Sequence, residues 1–164
     1  MSLARTIVGE LQYEGAATVR MLERVPGEKL AWAPHQKSMT LGRLAWHLAK
    51  IPARAVMFME AKSFDLSNAR PDPPPDNVED IVAEYQRNLE AAKTAIAGMD
   101  DEALHQPFRF LKNGEVVREL PMAVFLRNVL MNHSYHHRGQ LSVYLRLLDV
   151  PLPATYGTSA DESL

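Results

Sequence analysis

Three histidines fall within five residues of an otherwise apolar stretch, "MNHSYHHRGQLSVYLRLL" at 131–148. On a helix, His133 and His137 stand one turn apart and about 40° apart around the axis, so two neutral imidazoles can reach one ion. They also share a stripe with Leu126, Leu130, Leu141, Tyr144 and Leu148, spaced by three and four, the face a helix buries. His136 is turned about 60° from His133, towards the stripe's edge. A third ligand must come from another helix. His47, between Leu44 and Ile51 on a second apolar stripe, is the candidate, whereas His35 and His105 fall in segments predicted as loops. Three histidines leave a coordination position open, as reactive zinc sites do. There a water can be acidified, or a thiol can bind as thiolate. The competing reading is a set of hydrogen-bonded core histidines, and spacing alone leaves both open. Peptidase chemistry is not supported, because Ser134 stands where a His-Glu-x-x-His motif carries its general base.

Three further residues carry chemistry, each with a plainer alternative. Glu14 lies where the first helix's stripe loses its apolar character; it could accept a proton beside the metal or point to solvent. Arg138 could bind an anionic substrate or form a structural ion pair. Tyr156, in the tail, could bring its hydroxyl over the metal pocket or pack on the bundle end. The methionines Met57, Met59, Met122 and Met131, and Trp32 and Trp46, read as packing residues.

The elements that must position these groups follow from periodicity. Four apolar stripes predict helices over about 2–25, 40–62, 77–99 and 122–148. Pro26-Gly27 ends the first, Ser38 or Thr40 caps the second, and Pro52 should kink or loosen one of its turns. The stretch "SFDLSNARPDPPPD" carries four prolines between 71 and 75 and is predicted as loop without strand pairing. Two alternating runs around Asn113-Gly114 predict a β-hairpin near 108–120, a small excursion on the bundle. Pro121 fits the first turn of the last helix. The Pro- and Gly-bearing tail after 148 should wrap the surface without forming an element. One domain over 1–164 is expected, an all-α antiparallel four-helix bundle, with connections too long to dictate simple up-down order.

Composition narrows the function classes. A net charge of −2 argues against a nucleic-acid surface. With no cysteine, any metal must use histidine, carboxylate or water. There is no signal-peptide pattern and no run of about 20 apolar residues, so a cytoplasmic protein with no membrane span is expected.

At these residues the sequence resembles the DinB/YfiT-like family of bacterial metalloproteins. The resemblance is carried by "LGRLAWHLA" around His47, "NHSYHHRGQLSVYLRLL" around His133 and His137, and "VPLPATYGTSADE" in the tail. It implies a four-helix bundle in which His47, His133 and His137 bind a divalent metal, zinc or nickel. It also implies an enzyme that activates a low-molecular-weight thiol for transfer to a small electrophile. The alternatives are a hydrolase that uses activated water and a non-catalytic metal- or ligand-binding protein. A homodimer is expected as well, because relatives pair through helices and one apolar flank is left exposed.

Overall fold

The computed structural model describes residues 2–68, 70 and 72–163. The apolar stripes become helices α1 (Leu3–Leu22), α2 (Leu41–Ala61) and α3 (Val78–Ala97), followed by the short α4 (Asp101–His105). Each long helix starts on a side-chain cap. Ser2 Oγ accepts from the Arg5 amide, Thr40 Oγ1 from Arg43 and Asn77 Oδ1 from Asp80. The first stripe is displaced by one residue at its start: Ala4 is buried, while Leu3 is 38% exposed. α2 runs through Pro52, whose missing N–H deprives the Leu48 carbonyl of its usual helical donor.

The last helical segment departs from the predicted continuous α-helix. It comprises α5 (Met122–Phe125), a π-helical stretch over Leu126–Asn132, and α6 (His133–Leu147). Pro121 closes the preceding strand and serves as N-cap to α5 instead of entering its first turn. The buried pairs Phe125-Leu126 and Leu130-Met131 stand five residues apart, as a π-turn requires.

In the bundle, α1 packs against α3 and α6, and α2 also packs against α3 and α6. The chain therefore does not follow a simple ring order, and α2 lies beside α6. One apolar cluster fills the interior, with Leu22, Leu44, Leu48, Ile81, Leu130 and Leu141 all at or below 1% exposure. Gly15 lets α1 and α3 approach: a Cβ there would stand 2.3 Å from Leu89 Cδ2.

The hairpin is present, as β2 (Pro107–Lys112) and β3 (Glu115–Pro121). Its turn residues Asn113 and Gly114 have φ of 53° and 83°, the left-handed pair that suits a two-residue hairpin turn. The stretch predicted as loop without pairing is corrected at its start. Residues Ser63–Asp65 form β1, parallel to β2, giving a three-stranded sheet in the order β1-β2-β3. Asp65 holds this strand to the hairpin tip. Its carboxylate accepts from the Gly114 amide at 2.7 Å and from the Ser67 amide at 2.9 Å, and these bonds keep its pKa below the ordinary value. The prolines that follow belong to no element among the described residues, and Pro71 lies outside them. His105 ends α4 instead of lying in a loop. Phe108 stacks on Phe125, with ring centroids 3.8 Å apart, docking the sheet on α5.

The tail runs over the bundle without forming an element. Asp161 pairs with Arg146 and Glu162 with Arg20, while Glu162 Oε2 also accepts from the Ala154 amide at 2.6 Å. No helix among the described residues is long and apolar enough to cross a membrane.

Candidate metal centre

Helix α2 presents His47 to the same point that α6 reaches with His133 and His137. One nitrogen from each lies within 4.8 Å of the other two, and the ring centroids form a nearly equilateral triangle of 5.0, 4.5 and 4.6 Å. The Nε2 atoms of His47 and His133 are 3.1 Å apart. Two nitrogens bound to one ion at ordinary Zn–N lengths, with angles between square and tetrahedral, are about 2.8–3.4 Å apart. The spacing therefore fits a shared divalent ion.

The surroundings keep these imidazoles unprotonated. Burial, followed by repulsion from His137 and His133, lowers His47 from 6.5 to about 4. Burial likewise brings His137 to about 4 and lowers His133. At neutral pH all three offer lone pairs, the state a metal requires.

Outer hydrogen bonds settle which nitrogen is free. His137 Nδ1 donates to Gln140 Oε1 at 2.7 Å, leaving its Nε2 for the centre. His133 hydrogen-bonds the Val129 backbone while its Nε2 faces His47. Metal-binding histidines are commonly held this way, which fixes tautomer and ring orientation. The sequence places Gln140 three residues after His137, a spacing that could have singled it out.

Glu14, Arg138 and Tyr156 come together, but with one another. Arg138, only 4% exposed in its side chain, donates to Glu14 Oε2 at 2.6 Å, to the Glu14 carbonyl at 3.0 Å and to Thr18 Oγ1 at 3.2 Å. The Tyr156 hydroxyl bonds both Arg138 and Glu14, with 2.8 Å to the carboxylate. The guanidinium also faces the rings of Tyr135 and Tyr156, at 5.5 and 5.2 Å. This cluster ties α1, α6 and the tail together, with none of its three members on the wall of the cavity beside the histidines. His136 is exposed, its ring centroid 4.9 Å from that of His137.

That cavity, about 780 Å³, opens beside His47 and His133. Its wall carries the apolar side chains of Ile51, Phe58, Phe64, Phe110 and Val129, together with the cations Arg43, Lys50, Arg54 and Arg70 and the carboxylate of Asp72. Sequence reading did not assign the cations a role. Their signal is nevertheless present, since Arg43, His47, Lys50 and Arg54 are spaced by four, three and four on one face of α2.

Comparison with known proteins bears on the fold and the family. The protein YrdA of Bacillus subtilis (strain 168) is 26% identical over 155 residues, covering 92% of this chain and 86% of its own. The crystal structure of a DinB-like protein from Bacillus cereus ATCC 10987 superposes with a TM-score of 0.72 at 25% identity, covering 92% of this chain and 95% of the other. A second DinB-like structure, YjoA from Bacillus subtilis, gives 0.70 at 18% identity, covering 92% and 97%, and so bears on the fold alone. The model of the DinB family matches residues 1–163, essentially the whole chain from the first helix to the pinned tail, and the protein belongs to that family.

Proposed function

We propose that this chain is a divalent-metal-dependent enzyme of the thiol S-transferase type, with zinc at His47, His133 and His137. It activates a low-molecular-weight thiol for attack on a small electrophile. The observation that carries this reading is a three-imidazole donor set beside a largely apolar cavity whose described wall residues include no free carboxylate base. Asp72 is the one carboxylate among the described wall residues, and Arg54 engages it at 3.1 Å. Hydrolysis by activated water is helped by a positioned carboxylate base, whereas a thiol bound as thiolate needs none.

The divalent ion supplies the charge that lowers the pKa of the thiol. The chain supplies the rest. The imidazoles are neutral at physiological pH, so the ligand set needs no prior deprotonation. Gln140 and the Val129 backbone hold two rings in the tautomer that turns Nε2 inward. Phe58, Phe64 and Phe110 leave an apolar bed for the acceptor.

The test is metal analysis of the purified protein, then a panel of bacillithiol, mycothiol, glutathione and cysteine with an electrophilic acceptor such as chlorodinitrobenzene. Metal-dependent thiol consumption that disappears in His133→Ala is expected. Metal-dependent ester hydrolysis without any thiol would replace this reading with the hydrolase. Bound metal with neither activity would favour the non-catalytic binding protein. The same reading includes a homodimer, supported by Val143 and Leu147, which stand exposed on one flank of α6.

A further inference from the structure

Four cations border the cavity, and their partners distinguish them. Lys50 Nζ lies 2.9 Å from Glu84, Arg54 lies 3.1 Å from Asp72, and Arg70 donates to the Ser67 carbonyl at 3.1 Å. Arg43 has no carboxylate partner among the described residues; its amide donates to the N-cap Thr40 Oγ1, and its side chain is exposed at the cavity wall. It stands one turn before His47 on the same face of α2, close enough for its charge to act on that imidazole. Beyond His47 along α2 the wall carries Ile51, then Phe58 stacked on Phe64 with centroids 4.1 Å apart, and Phe110 from the sheet, while the cations on that side, Lys50 and Arg54, are held in their ion pairs.

We infer that the cavity takes an elongated amphipathic organic anion, its carboxylate on Arg43 and its apolar or aromatic part along Ile51 towards Phe58, Phe64 and Phe110. An uncompensated guanidinium suits a carboxylate, which it can bind through two parallel hydrogen bonds. One helical turn separates Arg43 from His47, so the anionic group stands about 6 Å along the helix from the histidine cluster. The reacting atoms of such a molecule then fall beside the histidines, with the apolar remainder beyond them. The ligand so placed is the thiol or acceptor of the reaction proposed above, and its role as substrate rests on that reading of the cavity.

The probes are ω-phenylhexanoate and its neutral amide, titrated into the full chain by calorimetry and by NMR of the arginine side chains. Each is run on metal-free and on zinc-loaded protein. The acid is expected to bind about tenfold more tightly than the amide, in both metal states. Arg43→Gln should abolish that preference without altering amide affinity, and Arg43→Lys should restore part of it. Arg118→Gln, on the exposed strand β3, should leave it intact. Equal binding of acid and amide, no binding of either, or a preference that survives Arg43→Gln would overturn the inference. A preference present only with zinc would also overturn it, because the carboxylate would then be on the ion. An Arg43-dependent preference in a protein without thiol transfer would leave the anion site standing and remove the transferase. Thiol transfer without that preference would do the reverse.

Discussion

Arg138→Met separates a structural arginine from a catalytic one. The substitution keeps an unbranched apolar stem and removes four donated hydrogen bonds, to Glu14 Oε2, the Glu14 carbonyl, Thr18 and Tyr156. The Glu14 carboxylate, 13% exposed, loses its counter-ion. Breaking a buried pair by removing one partner costs about 3–5 kcal/mol. Glu14 keeps the Tyr156 hydroxyl at 2.8 Å and some contact with water, which places the expected loss near the lower end, ~3 kcal/mol. For a chain of this size that lowers the melting temperature by about 6–12 °C. Adding Glu14→Gln to Arg138→Met should recover part of the loss, because the orphaned charge is gone. The assays are thermal melts of the single and double variants with zinc stoichiometry measured on each. Zinc content should stay at the wild-type level, since the guanidinium's bonds run to α1 and the tail. Loss of zinc with an unchanged melting temperature would refute the reasoning and assign Arg138 to the metal centre.

The remaining expectations concern the histidines. Ala at His47, His133 or His137 should strip the metal and abolish its stabilisation of the fold, while His136→Ala should retain both, read by metal analysis and melts with added zinc. Gln140→Leu should weaken zinc binding by about 10–100-fold in a competition titration, because the His137 ring loses its orienting acceptor. Without metal, His47 and His137 protonate near pH 4 in the folded chain but near 6.5 when unfolded, so the unfolded state binds more protons between these values. Stability should therefore fall as pH drops from about 6.5 towards 4. The shared repulsions make the total ~3 kcal/mol rather than the sum of separate shifts. Urea titrations of metal-free protein that give the same stability at pH 7 and pH 5 would contradict this. Light scattering should give twice the chain mass at micromolar concentration.

The sequence made the helices legible because each must bury a continuous stripe, and the hairpin legible because Asn113-Gly114 is a local signal. Strand β1 was hidden for the opposite reason. It is three residues long, and its partner Phe110 lies 46 residues after Phe64. The π-turn was hidden because Leu126, Leu130 and His133 also satisfy ordinary helical spacing. The histidine cluster was readable from i, i+4 spacing plus one histidine on another stripe. Its neighbours were not: Tyr156 meets Glu14 across 142 residues, and no local pattern in the tail indicates that partner. The cationic face of α2 was visible in the spacing, but only the cavity gives it a purpose.

The π-helical stretch also sets how this segment tolerates changes in length. A turn closed from i to i+5 holds one residue more than an α-turn, so it offsets the two ends of the helix by roughly 100°. Upstream, that offset aims Phe125 at Phe108 and the sheet; downstream, it aims His133 and His137 at His47. Deleting any single residue between 126 and 132 would let the backbone relax into a regular α-helix with its hydrogen bonds intact. The two ends would then be out of phase, and either the aromatic dock or the histidine cluster would face the wrong way. The stretch acts as an angular spacer, whose residue count sets the phase between its two ends.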